Sequence, residues 1–467
     1  MLSKITDMIQ PRHIGLLGLC IIAFLYMALF RYDNYGIEEG AARALLINWS
    51  IIHQIANATP LFGVPDLRAL MFIFLDLHWA GSLPAAKVFT LFMLLATSLM
   101  FYRWSETYDN SETAMMATAM LLISPIAVMQ VDSISPGVFL FFCFTSAFWL
   151  NEMYRNGERT VTGALFMLMV MSSFAVSLHP MGLALPLALL ILWLPKVDAD
   201  ILKVKRRNLL IAVILTTAVL LLMRWGWSGL EWRGDYFASL GMILTGSPIL
   251  QTQPPTGWGL MIASVLALTV SVYVYQRNYE LFSLTLILAC LIGLLLPDSS
   301  WALMALITLV AIGLPQLIAI HRKTGIQSLM GQRGGVLLLL MICTSMFTSA
   351  DKHYREVSQL HIKSDVDYLI TVAVGIANDE SKDFTMASQW PARTMLATRR
   401  DVLPLPPESI LKDGKVFMAK TKGVTHFLFN PNSPENKALS RISMSLGHRM
   451  ETIELLPAGV ILQVNPQ

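Results

Sequence analysis

A helix needs a run of roughly 20 mostly apolar residues to cross a bilayer. This chain has one such run after another, and few other features constrain its fold as strongly. Eleven candidate spans follow from the pattern, over 13–30, 84–102, 113–130, 134–151, 161–178, 180–195, 208–225, 257–275, 280–296, 299–320 and 334–349. Two closely spaced pairs, 113–130/134–151 and 161–178/180–195, are joined by very short Pro-containing turns at Pro136 and Pro180. Such pairs form tight hairpins or broken helices lining a cavity. Charged residues make up 14% of the chain and hydrophobic ones 55%. That is well below the roughly 25% charged of a soluble protein.

The sequence is therefore expected to be mainly α, a polytopic membrane helix bundle. A net charge of +3 gives no reason to expect a nucleic-acid partner. The cysteines, Cys20, Cys143, Cys290 and Cys343, all lie inside apolar runs, which implies neither a disulfide framework nor metal-ligand spacing. The polar start, Met1 to Arg12, precedes an apolar run with no small-residue cleavage site behind it, so a retained first span is expected.

Lys and Arg set the orientation. Lys4, Arg12, Arg103, Arg155, Arg159, the Lys203–Arg207 cluster, Arg277, Arg322, Lys323 and Arg333 fall on one side, which is then cytoplasmic. The opposite side holds 31–83, the Trp-rich loop 226–256 and everything after Ser349. In the first of these, Ala41–Asn57 carries Leu45, Trp49, Ile52 and Ile55 near helical spacing, and Leu67–Trp79 is more apolar. Both are expected to lie in the interface as helices. In the tail, short apolar stretches at Phe384–Ser388, Val424–Asn430, Met450–Leu456 and Gly459–Val464 read as strands. Asn432 to Leu446, opened by Ser433-Pro434-Glu435, reads as a helix. The expected division is a membrane domain over 1–349 and an extracytoplasmic α/β domain over 350–467.

Directly after the first run comes Tyr32-Asp33-Asn34-Tyr35-Gly36-Ile37-Glu38-Glu39. Desolvation at the membrane surface raises a carboxyl toward the range useful to a general base. Solvated loop charge is the plainer reading of the same residues. Successive helical residues point about 100° apart, so Glu38 and Glu39 are not expected to share a target. Basic residues on the same side that suit a phosphate are Arg43, Arg68, Lys87, Arg224 and Arg233. Interface snorkelling is the alternative for each, and the favoured one for Lys87 and Arg224.

The acidic pair, the Pro-Leu-Phe-Gly-Val-Pro-Asp-Leu segment at 60–67 and Ala85-Ala86-Lys87 entering the second span resemble the GT-C membrane glycosyltransferases. The branch they are most similar to is the bacterial group related to protein O-mannosyltransferases and the lipid A aminoarabinose transferase. The resemblance implies an inverting transferase of a bacterial inner membrane, with its N-terminus cytoplasmic and its tail outside. It would move a sugar from a polyprenyl-phosphate donor to a lipid, glycan or protein acceptor. Glu38 falls where the family has its catalytic Asp, Glu39 where a Glu follows, and Asp33 is the reserve. Arg43, Arg68, His179, Arg233 and Lys87 are the candidates for the donor phosphate. Two positions depart from the family. Pro136 or Gly137 stands about where relatives have an Asp entering the fourth span, with Asp132 slightly earlier. His179-Pro180-Met181-Gly182 replaces a Lys-Gly-Pro turn, and His179 suits a phosphate contact or a helix cap equally. No metal constellation is visible, although a carboxylate pair leaves room for a divalent ion completed by phosphate oxygens. Other classes compatible with the chain are a non-catalytic envelope-assembly subunit and a transporter or flippase of lipid-linked glycans. The latter class favours intramembrane charge and repeats, neither of which the sequence displays.

Overall fold

The structure is a computed structural model. It describes residues 17–18, 20–21, 24, 37, 39–53, 67–72, 83–108, 111–123, 125–155, 161–193, 281–293, 299–313, 365–379, 384–407, 410–411, 414–433, 436–447 and 449–465. Expectations for Asp33, Glu38, Arg224, Arg233, the Trp-rich loop and the spans at 208–225, 257–275 and 334–349 lie outside the described residues.

The chain divides into two compact units. The first takes in Gly63–Met71 and Pro84–Lys352; the second joins Arg31–Phe62 and Phe72–Leu83 to His353–Gln467. Residues 39–53 thus group with the tail, which joins the second unit from His353.

In the first unit, α2 (Leu83–Tyr108) is long and apolar enough over Leu83–Glu106 to cross a membrane. It is followed by α3 (Ser111–Ile123), α4 (Pro125–Asp132), α5 (Pro136–Arg155) and α6 (Val161–Leu178). A 3-10 turn, Pro180–Leu183, leads into α7 (Ala184–Trp193). Then come α8 (Leu281–Gly293) and α9 (Ser299–Thr308), with a π turn at Leu309–Gly313. The expected span at 113–130 is split in two at Pro125, which lacks the amide a continuous helix needs and suits the first position of a new one.

Aromatic rings hold α2, α5 and α8 together. Trp104 stands edge-on to Phe282 with ring centroids 4.5 Å apart, and Phe148 meets both of them. Buried hydroxyls fold back onto their own helices. Thr90 donates to the Ala86 carbonyl, Thr97 to Met93, Thr145 to Phe141 and Thr285 to Leu281. An apolar bundle has no water to satisfy these groups, so the helix backbone does. At the α6–α7 turn a Cβ on Gly182 would fall 1.9 Å from the Ala175 carbonyl oxygen, so the backbones approach too closely for any side chain.

In the second unit α1 (Glu39–His53) begins with an acidic residue in its first turn, complementing the helix dipole. The tail opens with α10 (Asp365–Ala377), β1 (Met386–Ser388), α11 (Pro391–Thr398) and β2 (Val402–Pro404). It continues with α12 (Gly414–Lys420), β3 (His426–Phe429), α13 (Lys437–Ser445), β4 (Met450–Leu456) and β5 (Gly459–Val464). The sheet order is β2-β1-β3-β5-β4. The first three strands are parallel, whereas β5 runs antiparallel to both β3 and β4. β3 is buried at every position, as befits the central strand of the sheet. Edge strand β4 is largely exposed and carries Glu451 and Glu454, charges that discourage further pairing. Phe417, Phe427, Phe429 and Leu439 fill the core on one side.

Strands β4 and β5 fall where the sequence placed them. β2 was not expected: it is three residues long, ends in Pro404 and carries no alternation. The expected helix at Asn432–Leu446 starts later, with Asn436 at its N-cap position and 431–433 forming a turn.

Candidate functional site

Among the described residues two clusters of charge stand out, one in each unit.

The first lies on the turn between α4 and α5. Lys87, one helical turn inside α2, is wholly buried and donates to Asp132 Oδ1 at 2.7 Å. Arg68, from the helical segment 67–72 and 4% exposed, donates from Nη1 to the Ile134 carbonyl at 3.0 Å. Both cations therefore meet the same short turn. Ile134 itself is buried with φ +52, a conformation a β-branched residue adopts at a cost of about 1–3 kcal/mol. The hydroxyl of Ser135 contacts that of Ser300 at 2.9 Å and accepts the Gly137 amide at 3.4 Å, anchoring the turn to α9. Gln130 Oε1 is buried without a hydrogen-bond partner, and a Cβ on Gly137 would lie 2.5 Å from it.

Snorkelling, the favoured sequence reading for Lys87, is corrected here: the amine points into protein and an anion holds it. Placing two basic side chains inside an apolar bundle is expensive, and such groups mark functional sites in membrane proteins. Asp132 is the acidic partner at this turn, four residues before Pro136. No sequence signal marked Gln130, Ser135 or Ser300, since they are ordinary polar residues in an apolar context.

The second cluster surrounds Glu39. Its Oε1 accepts the amide of Ala392 at 2.9 Å and its Oε2 that of Arg393 at 3.1 Å, both in the first turn of α11. Arg43, one turn along α1, lies 3.6 Å from the same carboxylate. Arg393 in turn ion-pairs Asp367 of α10. Burial pushes the Glu39 carboxyl above its ordinary value, while the two amides and the guanidinium groups of Arg43 and Arg393 pull the other way. With both oxygens engaged by backbone amides, Glu39 is built as a helix cap. Among the described residues no group of three or more His, Cys, Asp or Glu gathers as a metal site.

His179 belongs to neither cluster. Its Nδ1 accepts the Met181 amide at 3.2 Å at the start of the 3-10 turn. The structure thus gives it the geometry of a cap. Of the five phosphate candidates, Arg68 and Lys87 come together, Arg43 stands beside Glu39, and His179 caps the α6–α7 turn.

Comparison with solved structures finds proteins of similar fold. ArnT from Cupriavidus metallidurans aligns over 97% of this chain and 98% of its own, with TM-score 0.55 and 10% identity. The same protein bound to undecaprenyl phosphate aligns with TM-score 0.52 and 10% identity, over 97% of this chain and 98% of its own. The oligosaccharyltransferase AglB from Archaeoglobus fulgidus, in complex with an inhibitory peptide and a dolichol-phosphate, aligns over 97% of this chain and 74% of its own. Its TM-score is 0.54 and its identity 12%. No protein-family model matches the chain, and no curated protein does. At such identities the likeness is one of fold alone: the chain shares the fold of these proteins.

Proposed function

We propose that this protein is a glycosyltransferase that takes a sugar from a polyprenyl-phosphate donor and passes it to an acceptor outside the membrane. The observation that carries this is the convergence of buried Arg68 and Lys87 on the turn at 132–134. Cations fixed before the reaction stabilise the charge that develops on a departing phosphate, and cost little reorganisation as it forms. Solved structures of the same fold hold undecaprenyl phosphate in one case and a dolichol-phosphate with a peptide in another, which supports a lipid-phosphate donor and an acceptor beside it.

In this scheme the acceptor nucleophile attacks the anomeric carbon. The bond from that carbon to the phosphate oxygen breaks, and polyprenyl phosphate leaves with the electron pair. The acceptor proton goes to a carboxylate, for which Glu38 is the assigned base and Asp33 the reserve. Attack from the side opposite the phosphate inverts the anomeric centre. Arg68 offers paired donors to the phosphate and Lys87 a point charge held in place by Asp132. Arg43 and Arg233 remain assigned to the donor phosphate from outside this turn. The assigned setting is a bacterial inner membrane with the tail extracytoplasmic.

The test is turnover of lipid-linked sugars extracted from the host's membranes, read by mass spectrometry as release of free polyprenyl phosphate. Wild-type protein should release it, and Glu38→Gln should not while remaining folded. A Glu38→Gln variant with full turnover overturns the assignment of the base; a wild type that releases nothing overturns the function.

A further inference from the structure

α11 starts badly by its own sequence. Its N-cap is Trp390, whose ring has no acceptor and makes no capping hydrogen bond, and Pro391 fills the next position. The amides a cap would serve, those of Ala392 and Arg393, are taken instead by Glu39, 353 residues earlier in the chain. The helices pack beneath this contact. Small and apolar residues Ala41, Ala42, Leu45 and Leu46 are buried on α1, and Ala392, Met395 and Leu396 on α11. Arg393 carries the connection to α10 through Asp367. The charged groups around the Glu39 carboxylate are thus Arg43 from α1 and Arg393 from α11, with Asp367 behind the latter.

A local cap would stabilise α11 equally well: Ser, Thr, Asn or Asp at position 390 needs no help from a distant helix. Capping from α1 does something a local cap cannot, because it fixes where α1 begins. We propose that Glu39 is a positioning residue, which by capping α11 in place of Trp390 makes the C-terminal domain the support that orients its neighbour Glu38. This rests on the functional reading above, in which Glu38 is the base. Glu38 is bonded directly to Glu39, so fixing the latter limits where the former's carboxylate can go.

The test separates capping from positioning. Glu39→Ala removes both, whereas Glu39→Ala/Trp390→Asp restores a carboxylate at the helix start but leaves α1 untied. Each variant of the full-length protein is compared with wild type for hydrogen exchange in α1 and α11 and for turnover of the extracted lipid-linked sugars. The double variant should recover protection in α11 and not in α1. Its maximal rate should stay about 10²-fold down, the scale of a misplacement of about 1 Å, with the half-saturating donor concentration little changed. If Glu39→Ala does not fold, the double variant alone decides. Wild-type turnover in the double variant, or wild-type protection of its α1, overturns the positioning role. Absence of turnover in the wild type overturns the functional reading instead, and the exchange pattern still decides the tie.

Discussion

Lys87 Nζ lies 2.7 Å from Asp132 Oδ1, and the lysine side chain is fully buried. The pair joins α2 to the end of α4 across 45 residues of sequence. A charge so placed is tolerable when its partner is present and costly when the partner is removed, because the remaining ion keeps its desolvation penalty.

Asp132→Ala should therefore destabilise the membrane unit by about 3–5 kcal/mol, whereas Lys87→Met/Asp132→Leu, which removes both charges, should unfold at close to the wild-type temperature. Thermal unfolding in detergent checks both. A double variant no more stable than Asp132→Ala would show that the pair acts through something other than mutual neutralisation.

Gly182→Ala should prevent correct packing of the α6–α7 turn, since the new Cβ would stand 1.9 Å from a backbone oxygen that has no room to move. Gly375→Ala is the contrast. Gly375 is exposed within α10 with nothing within 4 Å of an added Cβ, so alanine should stabilise the tail by about 0.5–1 kcal/mol through helix propensity. Size-exclusion profiles and unfolding temperatures of the two variants should move in opposite directions.

The pH dependence of the second unit follows from Glu39. Burial raises its carboxyl above the ordinary value. The folded state then holds the proton more tightly than the unfolded one. The stability it contributes is present in full below the ordinary glutamate range and is lost as pH rises through the raised value. Mild acid should thus stabilise the second unit, because relief of the buried charge outweighs the weakening of the two amide bonds on protonation. The difference in unfolding temperature between wild type and Glu39→Gln should grow in favour of wild type on acidification from neutral pH. A difference that shrinks would mean the two amide bonds outweigh burial.

At neutral pH Glu39→Gln replaces one accepting oxygen with an amide group that faces a backbone N–H. It should lower the stability of the second unit by about 1–3 kcal/mol, as expected for a lost bond and an unsatisfied buried donor. Hydrogen exchange of the α11 amides reads this directly, and unchanged protection would contradict the bidentate cap.

The apolar runs made the described helices of the first unit legible as helices, although among the described residues only α2 is long and apolar enough to cross a membrane. Strands β4 and β5 were legible for a different reason, their β-branched and apolar stretches being set off by the turn at 457–458. The candidate site was legible only in its charges. Arg68 and Lys87 stood out as basic residues at the edges of apolar runs, and Asp132 as an acid near the fourth span. That Lys87 would turn inward to Asp132 depends on the fold, which brings residues 87 and 132 together. Capping of α11 by Glu39 was hidden for the same reason, since nothing local to Trp390 or to Glu39 names the other. Ser135 and Ser300 carry no sequence pattern at all.

The central claim is that the first unit holds a polyprenyl phosphate through the cations gathered at the turn 132–134. Native mass spectrometry of the protein purified from membranes, with undecaprenyl phosphate added as the probe, tests it most directly. Wild type should retain one lipid per chain, and Lys87→Met/Asp132→Leu combined with Arg68→Met should stay folded and retain none. Equal retention by the two proteins, or no retention by the wild type, would contradict the claim.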